Sequence, residues 1–272
     1  MSSLARAGAA QATPGEDDYV VLCNGVRKLT GIDLSQYKRV QMERRIRTFA
    51  ERRGIGGGLT GLIVALRREE ELLTAFLDHV TINVSQLWRN PEQWDVLAKH
   101  VLPELGEHGR VRAWSAGCSY GAEAYTVAAI CKETLPSARI ELRGTDIDPR
   151  MVERAREGVF SAADARDAPT DKLARWFHET DGGWQAKDEL RRITTFEVGD
   201  LLRLRPRSEW FDLVLCRNTV IYFNDEIRNA LHVRLAESLR AGGYLIIGST
   251  ERVAEPKALG LISTHPFTYR KV

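Results

Sequence analysis

The sequence predicts an α/β protein built on a Rossmann-like, mostly parallel sheet, with a small all-helical domain in front of it. From residue 111 onward, short apolar segments typical of strands alternate with helical segments, and this alternation indicates a parallel sheet. Residues 18–90, in contrast, show helical periodicity and few strand signals. A chain of 272 residues is long enough to form both domains.

The helical region is predicted to be a small bundle. Gly31 ends the first helix, either Asp33 or Ser35 can cap the second, and the glycine-rich stretch 54–58 follows it. The predicted helices lie at about residues 20–30, 33–53, 59–66 and 70–79. Residues 1–17 are rich in Ala, Ser and Gly and are expected to form a disordered tail. The predicted domains are therefore 1–17, 18–90 and 91–272.

The α/β region is predicted to hold six strands and four helices. The strands are expected at residues 111–116, 140–146, 194–198, 213–216, 244–249 and 266–272. The helices are expected at residues 91–104, 121–133, 149–157 and 225–239. Gly242-Gly243 makes a tight turn, and residues 266–272 alternate like an edge strand, which fits a sheet whose last strand is antiparallel. Residues 173–196, with Asp181-Gly182-Gly183 as a turn, predict a short β-hairpin insertion.

Composition excludes several classes of protein. The formal net charge is only +2, no apolar run reaches the length of a membrane span, and the N-terminal stretch lacks the apolar core of a signal peptide. The four cysteines form no C-x-x-C pair and histidines are few, so no metal site is expected. Three of them, Cys118, Cys131 and Cys216, lie in apolar segments and are predicted to be reduced, buried thiols, which indicates a cytoplasmic protein without membrane insertion. A monomer is the default expectation.

The most informative segment runs from Arg112 to Thr126. It predicts a buried strand, a turn that contains Gly117 and Gly121, and a helix, and ligands of α/β folds bind at the carboxyl ends of such strands. A dinucleotide site would have a third glycine, so that the backbone could approach the pyrophosphate. The two glycines therefore favour an adenosine ligand without phosphates, with S-adenosylmethionine as the candidate cofactor. An ordinary strand-to-helix turn is the alternative interpretation.

Two acidic residues follow the next predicted strands. Asp146 ends the second strand, about 25 residues after the glycine turn, where a carboxylate can accept both ribose hydroxyls of an adenosine. Asp200 follows the third strand in Glu197-Val-Gly-Asp-Leu201, where it can accept the adenine amino group. The alternatives are an exposed loop acid for Asp146 and a helix cap for Asp200.

Polar residues near two other segment ends are candidates for substrate contact. Arg89 stands at the junction of the two regions, where its guanidinium can hold a carboxylate in a bidentate pair or form a surface salt bridge. Asn218 interrupts an apolar run after the fourth strand, and Tyr222 precedes a helix. A buried structural tyrosine is the alternative for Tyr222.

The second predicted helix carries a strongly basic face. Its cations are Lys38, Arg39, Arg44, Arg45, Arg47, Arg52 and Arg53. Only Glu43 and Glu51 oppose them. This face predicts a docking surface for an acidic partner, with a solvated helix face as the alternative. Nucleic acid is not expected, because few aromatic residues are interleaved with the cations and the chain is almost neutral overall.

Taken together, these segments resemble the CheR family of chemotaxis receptor methyltransferases. Thr81-Ile-Asn-Val-Ser-Gln-Leu-Trp-Arg89 is similar to the family's T-I-N-V-T-x-F-F-R segment. Further matches are Leu29-Thr-Gly-Ile-Asp-Leu-Ser-Gln-Tyr-Lys-Arg39, Trp114-Ser-Ala-Gly-Cys-Ser119, Thr145-Asp-Ile-Asp148, Cys216-Arg-Asn218, Ile221-Tyr-Phe223 and Leu239-Arg-Ala-Gly-Gly-Tyr-Leu245. The resemblance implies an S-adenosylmethionine-dependent methyltransferase that methylates glutamate side chains of chemoreceptors, releasing S-adenosylhomocysteine.

The resemblance also implies a set of site residues. Cofactor contacts carry over to Asn83, Ser85, Arg89, Gly117, Glu123, Asp146, Asp200, Leu201, Arg217 and Asn218. Arg89 and Tyr222 would line the point of transfer. The receptor would dock on Lys38, Arg39, Arg44, Arg45 and Arg47, and reversing the charge of Arg44, Arg45 and Arg47 is expected to raise the KM for the receptor.

Several positions depart from the family pattern. Tyr120 replaces Thr, Ala122 replaces the first Glu and Ala124 replaces Pro in the segment after Gly117. Gly248-Ser-Thr-Glu251 replaces a more usual G-H-S-E, and Asp200 replaces a common Asn. These changes leave open a divergent, weakly active or inactive module that binds the cofactor and signals by docking. The missing third glycine disfavours a nicotinamide-dependent dehydrogenase. The insertion is shorter than in family members that bind a receptor's C-terminal pentapeptide, which predicts independence from that tether.

Overall fold

The computed structural model describes residues 17–81 and 85–272, which form two compact units divided between residues 82 and 83. This division corrects the predicted boundary at residue 90. The segment after the division bonds within the second unit: Leu87 N–H donates to the carbonyl oxygen of Asp164 at 2.9 Å, and Trp88 N–H donates to Thr126 Oγ1 at 3.1 Å. Apart from its last residue, the predicted N-terminal tail lies outside the described residues.

The first unit is helical, as predicted. Its helices are α1 (Asp18–Thr30), α2 (Arg39–Arg52), α3 (Gly58–Leu66) and α4 (Glu70–Thr81). The Asp17 carboxylate accepts from the backbone N–H of Tyr19 at the start of α1, and Gly31 ends that helix in the left-handed conformation, at φ 80°. Fully buried side chains of the four helices form the core, among them Leu22, Ile46, Leu62 and Phe76. None of the helices in the described part of the chain is long and apolar enough to span a membrane.

The helix α2 begins at Arg39, six residues later than predicted. Asp33 does act as a cap, but it accepts from Ser35 N–H at 3.1 Å and caps a short 3₁₀ turn, Leu34–Gln36. Tyr37 is then extended, and α2 begins at Arg39, after Lys38, without a side-chain cap. A capping signal identifies the first turn that follows it and carries no information on whether that turn continues.

Residues 85–272, the described part of the second unit, contain seven α-helices and ten strands. In chain order they are α5 (Pro91–Val96), α6 (Leu102–Gly106), β1 (Arg110–Ala116), α7 (Ala122–Thr134), β2 (Arg139–Asp146), α8 (Pro149–Glu157), β3 (Val159–Ser161), α9 (Thr170–Trp176), β4 (Phe177–Thr180), β5 (Gly183–Ala186), α10 (Asp188–Arg191), β6 (Thr194–Val198), β7 (Phe211–Cys216), α11 (Asp225–Ser238), β8 (Leu239–Ile247), β9 (Leu261–His265) and β10 (Thr268–Lys271). A π turn, Leu97–Val101, joins α5 to α6, and 3₁₀ turns lie at Val220–Tyr222 and Pro256–Leu259.

Seven of these strands form one sheet in the order β6-β2-β1-β7-β8-β10-β9. The first five are mutually parallel, so their carboxyl ends share one edge, and β10 is antiparallel to β8, which confirms the predicted antiparallel last strand. All six residues of β7 are buried, as expected of a central strand covered on both faces. β10 is not the edge strand that its alternation predicted, because β9, whose central residues are exposed, lies outside it.

The insertion is a second, three-stranded antiparallel sheet in the order β3-β5-β4. The predicted hairpin is present as β4 and β5, with Gly182 at φ 94° in its turn. The third strand, β3, lies before the predicted range, and three residues are too few to give a periodic signal. Lys172 Nζ and Trp176 Nε1 bond the two carboxylate oxygens of Glu133, at 2.6 and 2.7 Å, and so attach the insertion to α7.

The imidazole of His232 in α11 predicts a pH dependence of stability. Its side chain is 1% exposed, neither ring nitrogen has a partner among the described residues, and burial, with the charge of Arg228, lowers its pKa to about 4. In the unfolded chain the imidazole pKa is about 6.5, so between these values the unfolded state binds a proton that the folded state excludes. The free energy of unfolding should therefore fall as the pH falls from about 6.5 to 4.

Urea unfolding at pH 7 and pH 4.5 checks this dependence. We expect the wild type to lose about 2 kcal/mol more than His232→Leu over this interval. His108→Leu, at an exposed histidine, is the matched control. Its free energy of unfolding should fall between pH 7 and pH 4.5 by the same amount as that of the wild type. If His232→Leu lost as much unfolding free energy as the wild type between pH 7 and pH 4.5, the assignment of the pH dependence to this imidazole would be wrong.

Candidate functional site

The candidate site lies along the carboxyl edge of the five parallel strands, where ligands of α/β folds bind. The turn after β1 is held by Gly117 and Gly121, both left-handed at φ 82° and 86°. The N–H groups of Gly117 and Cys118 donate to the carbonyl oxygen of Thr145 at 2.8 and 3.0 Å. A Cβ on Gly117 would lie 2.5 Å from Thr219 Oγ1, so this position requires glycine both for its conformation and for its packing.

Asp146 ends β2 with a carboxylate that is almost entirely buried, at 9% exposure. Its Oδ2 accepts from Ser119 N–H at 2.7 Å, and its Oδ1 accepts from Asp148 N–H at 3.0 Å. Burial raises the pKa of Asp146, and these two N–H groups oppose the rise. A carboxylate has four lone pairs, so acceptor capacity remains beyond the bonds from Ser119 and Asp148. The carboxylate can therefore accept a pair of ribose hydroxyls, and the turn beside it fits an adenosine ligand.

Arg217 is the centre of a buried network in the loop after β7. Its side chain is 2% exposed, and Nη1 donates to Glu123 Oε2 at 3.1 Å. Nε donates to Gln93 Oε1 at 2.8 Å, and Nη2 donates to the carbonyl oxygen of Arg89 at 2.9 Å. The other carboxylate oxygen of Glu123 accepts from Ser115 Oγ at 2.7 Å. The network joins the loop after β7 to α5, to α7 and to the segment that carries Arg89.

Most donors of Arg217 are used inside the protein. Nη2 also donates to Asn90 Oδ1 at 3.2 Å, so four of the five guanidinium N–H groups have partners. The guanidinium carbon lies 4.4 Å from the ring centroid of Trp94. We therefore expect Arg217 to position the groups around it, and its contact with a cofactor stays a prediction.

Strained backbone is concentrated in the segments of the candidate site. Among the described residues, six that are not glycine have left-handed φ, and four of them lie here: Trp88 at 56°, Asn90 at 59°, Ser119 at 48° and Asn218 at 58°. Such conformations cost on the order of 1–3 kcal/mol each and cluster at functional sites. Arg89 lies between two of these residues, so its backbone is fixed on both sides.

Tyr120, which departs from the family pattern, is accommodated beside the insertion. Its ring is 3% exposed and lies between the guanidinium of Arg154, 3.9 Å away, and the ring of Phe160, 6.3 Å away. The hydroxyl contacts the carbonyl oxygen of Ser85 and lies 2.9 Å from Asp164 Oδ1. Burial, reinforced by the neighbouring Asp164, raises the pKa of Tyr120, so the phenol stays protonated. The tyrosine therefore fastens the Ser85 segment to the sheet domain.

The remaining predicted site residues are placed as follows. Tyr222 is partly exposed in the 3₁₀ turn after β7, and Asn83 lies outside the described residues. Asp200 bonds within its own turn, accepting from Leu202 N–H at 2.9 Å and from Arg203 Nε at 3.2 Å. Asp200 therefore caps a turn, whereas the alternative predicted from the sequence was a helix cap. Contacts of Asp200 and of the buried Leu201 with the cofactor stay predictions.

The basic helix α2 is less positive than its residue count indicates. Arg39 pairs with Asp17 and Glu43, at 2.6 and 3.0 Å, and Arg47 pairs with Asp18 and Glu43, at 2.9 and 2.7 Å. Arg45 Nε donates to the carbonyl oxygen of His79. Three of the five predicted docking residues are thus engaged within the helical unit.

Several residues of the site were not identified from the sequence. Gln93 is 4% exposed, and its Nε2 donates to the carbonyl oxygen of Ile247 at 2.9 Å. Its only signal is a polar residue within a predicted amphipathic helix. Ser115 lies in the motif Trp114–Ser119. Its hydrogen bond to Glu123 forms only in the folded protein, so the sequence does not reveal it. Glu251 was noted only as part of a motif that departs from the family.

The Arg217–Glu123 pair predicts a large loss of stability when it is broken. Arg217→Met would leave Glu123 as a buried carboxylate without its cation, which costs about 3–5 kcal/mol. Arg139→Met is the control, because the Arg139–Glu141 pair is solvent-exposed and is worth at most about 1 kcal/mol. Urea unfolding at pH 7 measures both. Equal losses in the two variants would refute a structural role for the buried pair.

Comparison with known proteins identifies the family. The all-alpha domain of CheR methyltransferases matches residues 17–81, and the SAM-binding domain of CheR methyltransferases matches residues 83–267. A chemotaxis protein methyltransferase of Listeria innocua is 34% identical over 259 residues, covering 94% of this chain and 98% of the relative. One of Borreliella burgdorferi is 30% identical over 255 residues, covering 89% of each. The chain therefore belongs to the CheR methyltransferase family, whose cofactor is S-adenosylmethionine.

Proposed function

We propose that this methyltransferase transfers the methyl group of S-adenosylmethionine to glutamate side chains of chemoreceptor cytoplasmic domains, forming glutamyl methyl esters. The buried carboxylate of Asp146, which accepts Ser119 N–H from the turn held by Gly117 and Gly121, is the observation that carries the adenosine site. This chain matches chemotaxis protein methyltransferases over 89–98% of their length, and this match supports the receptor as substrate. The product would be S-adenosylhomocysteine.

Different residues of this chain would bind different parts of the cofactor. Asp146 would accept the ribose hydroxyls, and Gly117 would let the backbone approach the ligand closely. Glu123, with Ser85, Asn218 and Asn83, would hold the amino acid portion. The bound cofactor supplies an electrophilic methyl group on a sulfonium sulfur. Asp200 and Leu201 would flank the adenine.

The reaction needs no general base. A glutamate carboxylate, with a pKa of about 4.3, is ionised at neutral pH and is already nucleophilic. The work of the protein is to orient that oxygen and to exclude water. The guanidinium of Arg89 and the hydroxyl of Tyr222 would hold the carboxylate by hydrogen bonds. Arg217, which bonds the carbonyl oxygen of Arg89, would fix the backbone from which that guanidinium projects.

The structure accommodates the departures from the family pattern, and this favours an active enzyme over a binding module. Ala122 and Ala124 are fully buried in α7, where their small side chains pack into the core. The ring of Tyr120 packs against Phe160 and Arg154. Glu123, the acid that the family pattern retains, keeps its ion pair with Arg217. The substituted side chains thus pack into the core, and the two acids proposed to bind the cofactor, Glu123 and Asp146, are retained.

We also propose that the helical unit docks the receptor and that no pentapeptide tether is needed. Arg44 is exposed on α2, and Val40, one turn earlier, is 83% exposed, which suits an acidic helical partner with some apolar surface. In the insertion, β4 and β5 are each only four residues long. Receptor affinity would then come from the helical unit, and the protein would act as a monomer.

Calorimetric titration with S-adenosylmethionine and S-adenosylhomocysteine tests the cofactor site. We expect Asp146→Ala to weaken binding of both by at least about 100-fold, because two charge-assisted hydrogen bonds are lost. Asp148→Asn, in the same loop and equally buried, keeps an acceptor for Arg150 N–H and should bind within about threefold of the wild type. A wild type that binds neither ligand would favour the docking module and overturn the proposal.

Methylation of a chemoreceptor cytoplasmic fragment tests the docking surface. Lys38→Glu combined with Arg44→Glu should raise the KM for the fragment by about 3- to 10-fold with little change in kcat, because long-range attraction is replaced by repulsion. Arg192→Glu, a reversal at an exposed arginine of the other unit, is the control. Fragments with and without their last five residues should give the same KM. Unchanged kinetics in the double variant would place the docking surface elsewhere.

A further inference from the structure

Glu251, in the loop after β8, is a buried acid to which the proposed mechanism gives no part. Its side chain is 3% exposed. Oε2 accepts from Gly248 N–H at 2.6 Å and from Asn218 N–H at 3.2 Å. Burial raises its pKa, and the backbone N–H groups of Gly248, Asn218, Ile221 and Val220 oppose the rise. One carboxylate is thus directed at the backbone of two different loops.

The geometry around Glu251 is unusually close. A Cβ on Gly248 would lie 2.8 Å from Glu251 Oε2 and 2.9 Å from the backbone nitrogen of Asn218. Only glycine therefore permits the two loops to approach each other this way. Asn218 has left-handed φ, at 58°, a conformation that neighbouring contacts must hold. The hydrogen bond from Asn218 N–H to Glu251 is such a contact.

The loop that Glu251 holds is the one that carries the proposed transfer residues. It leaves β7 at Cys216, continues through Arg217 and Asn218, and enters the 3₁₀ turn Val220–Tyr222. Arg217 is anchored by its own side-chain network at the start of the loop. Glu251 acts on the next residue, Asn218, whose backbone N–H donates to its carboxylate at 3.2 Å. The two anchors together hold the first two residues of the loop, from which the chain enters the turn that ends at Tyr222.

We propose that Glu251 is a positioning residue for methyl transfer, an inference that rests on the proposed function. Its carboxylate fixes the backbone of Asn218, which leads into the turn that ends at Tyr222, and so sets the place of the Asn218 amide and of the Tyr222 hydroxyl. The carboxylate takes no part in the bond changes, and it acts only through the loop.

Three variants test this role. Glu251→Ala removes the acceptor, and Glu251→Gln keeps one oxygen for Gly248 and Asn218. The matched control is Asp212→Ala, because Asp212 is 6% exposed and accepts from Arg112 N–H at 2.7 Å, but at the opposite end of β7. Titration with S-adenosylmethionine gives the number of competent sites, and methylation of a receptor fragment then gives kcat per site and the KM for receptor.

We expect Glu251→Ala to lower kcat per competent site by about 10- to 100-fold, with the receptor KM unchanged, and Glu251→Gln to recover part of the loss. Asp212→Ala should reduce stability while keeping kcat per site. A merely structural role for Glu251 would reduce the number of competent sites in Glu251→Ala and leave kcat per site at the wild-type value. That result would overturn the inference while leaving the proposed function intact.

A readout that does not depend on methylation completes the test. In ¹H–¹⁵N spectra, the amide protons of Gly248 and Asn218 should move upfield in Glu251→Ala and stay near their wild-type positions in Asp212→Ala. A wild type without methyltransferase activity would remove the proposed function, and the amide shifts would still decide whether Glu251 holds the loop. Unmoved shifts in Glu251→Ala would overturn the inference on their own.

Discussion

The buried ion pair between Arg217 and Glu123 is the constraint on which the rest of the candidate site depends. Charges removed from water lose several kcal/mol of hydration free energy each, and their attraction offsets this loss only when the remaining donors and acceptors are bonded. Ser115 and Gln93 meet this requirement with a hydroxyl and an amide, and the carbonyl oxygen of Arg89 accepts a further N–H. The pair thus fixes the three segments that carry these groups.

The two acids of the site are held in different ways, and this difference suits different tasks. Glu123 is compensated by a cation, so the pair presents little net charge to a ligand. Asp146 is held by the backbone N–H groups of Ser119 and Asp148, which bond its oxygens without a formal positive charge. A carboxylate in that setting remains a strong acceptor for neutral hydroxyls, whereas the pairing of Glu123 with Arg217 and Ser115 fixes the orientation of that carboxylate.

Most strands of the main sheet and the order of its motifs could be predicted, because a buried parallel strand is a continuous apolar run and a glycine turn is a local signal. β3 and β9 could not, since one has three residues and the other is mostly exposed. The hydrogen-bond partners of Arg217 could not be predicted from the sequence either. Gln93 and Glu123 lie 124 and 94 positions away in sequence, so only the folded sheet brings them to its guanidinium.

Tyr120 illustrates why a change of motif has to be judged by its contacts. A threonine at this position is too short to reach the carbonyl oxygen of Ser85 and Asp164 together, whereas the tyrosine contacts both. Arg154 stacks on the ring and pairs with Asp164, so the larger side chain comes with partners for its face and its hydroxyl. Asp164 in turn accepts Leu87 N–H through its carbonyl oxygen. The tyrosine thus adds attachments to the segment that leads to Arg89, and its fully bonded setting requires no loss of the neighbouring structure.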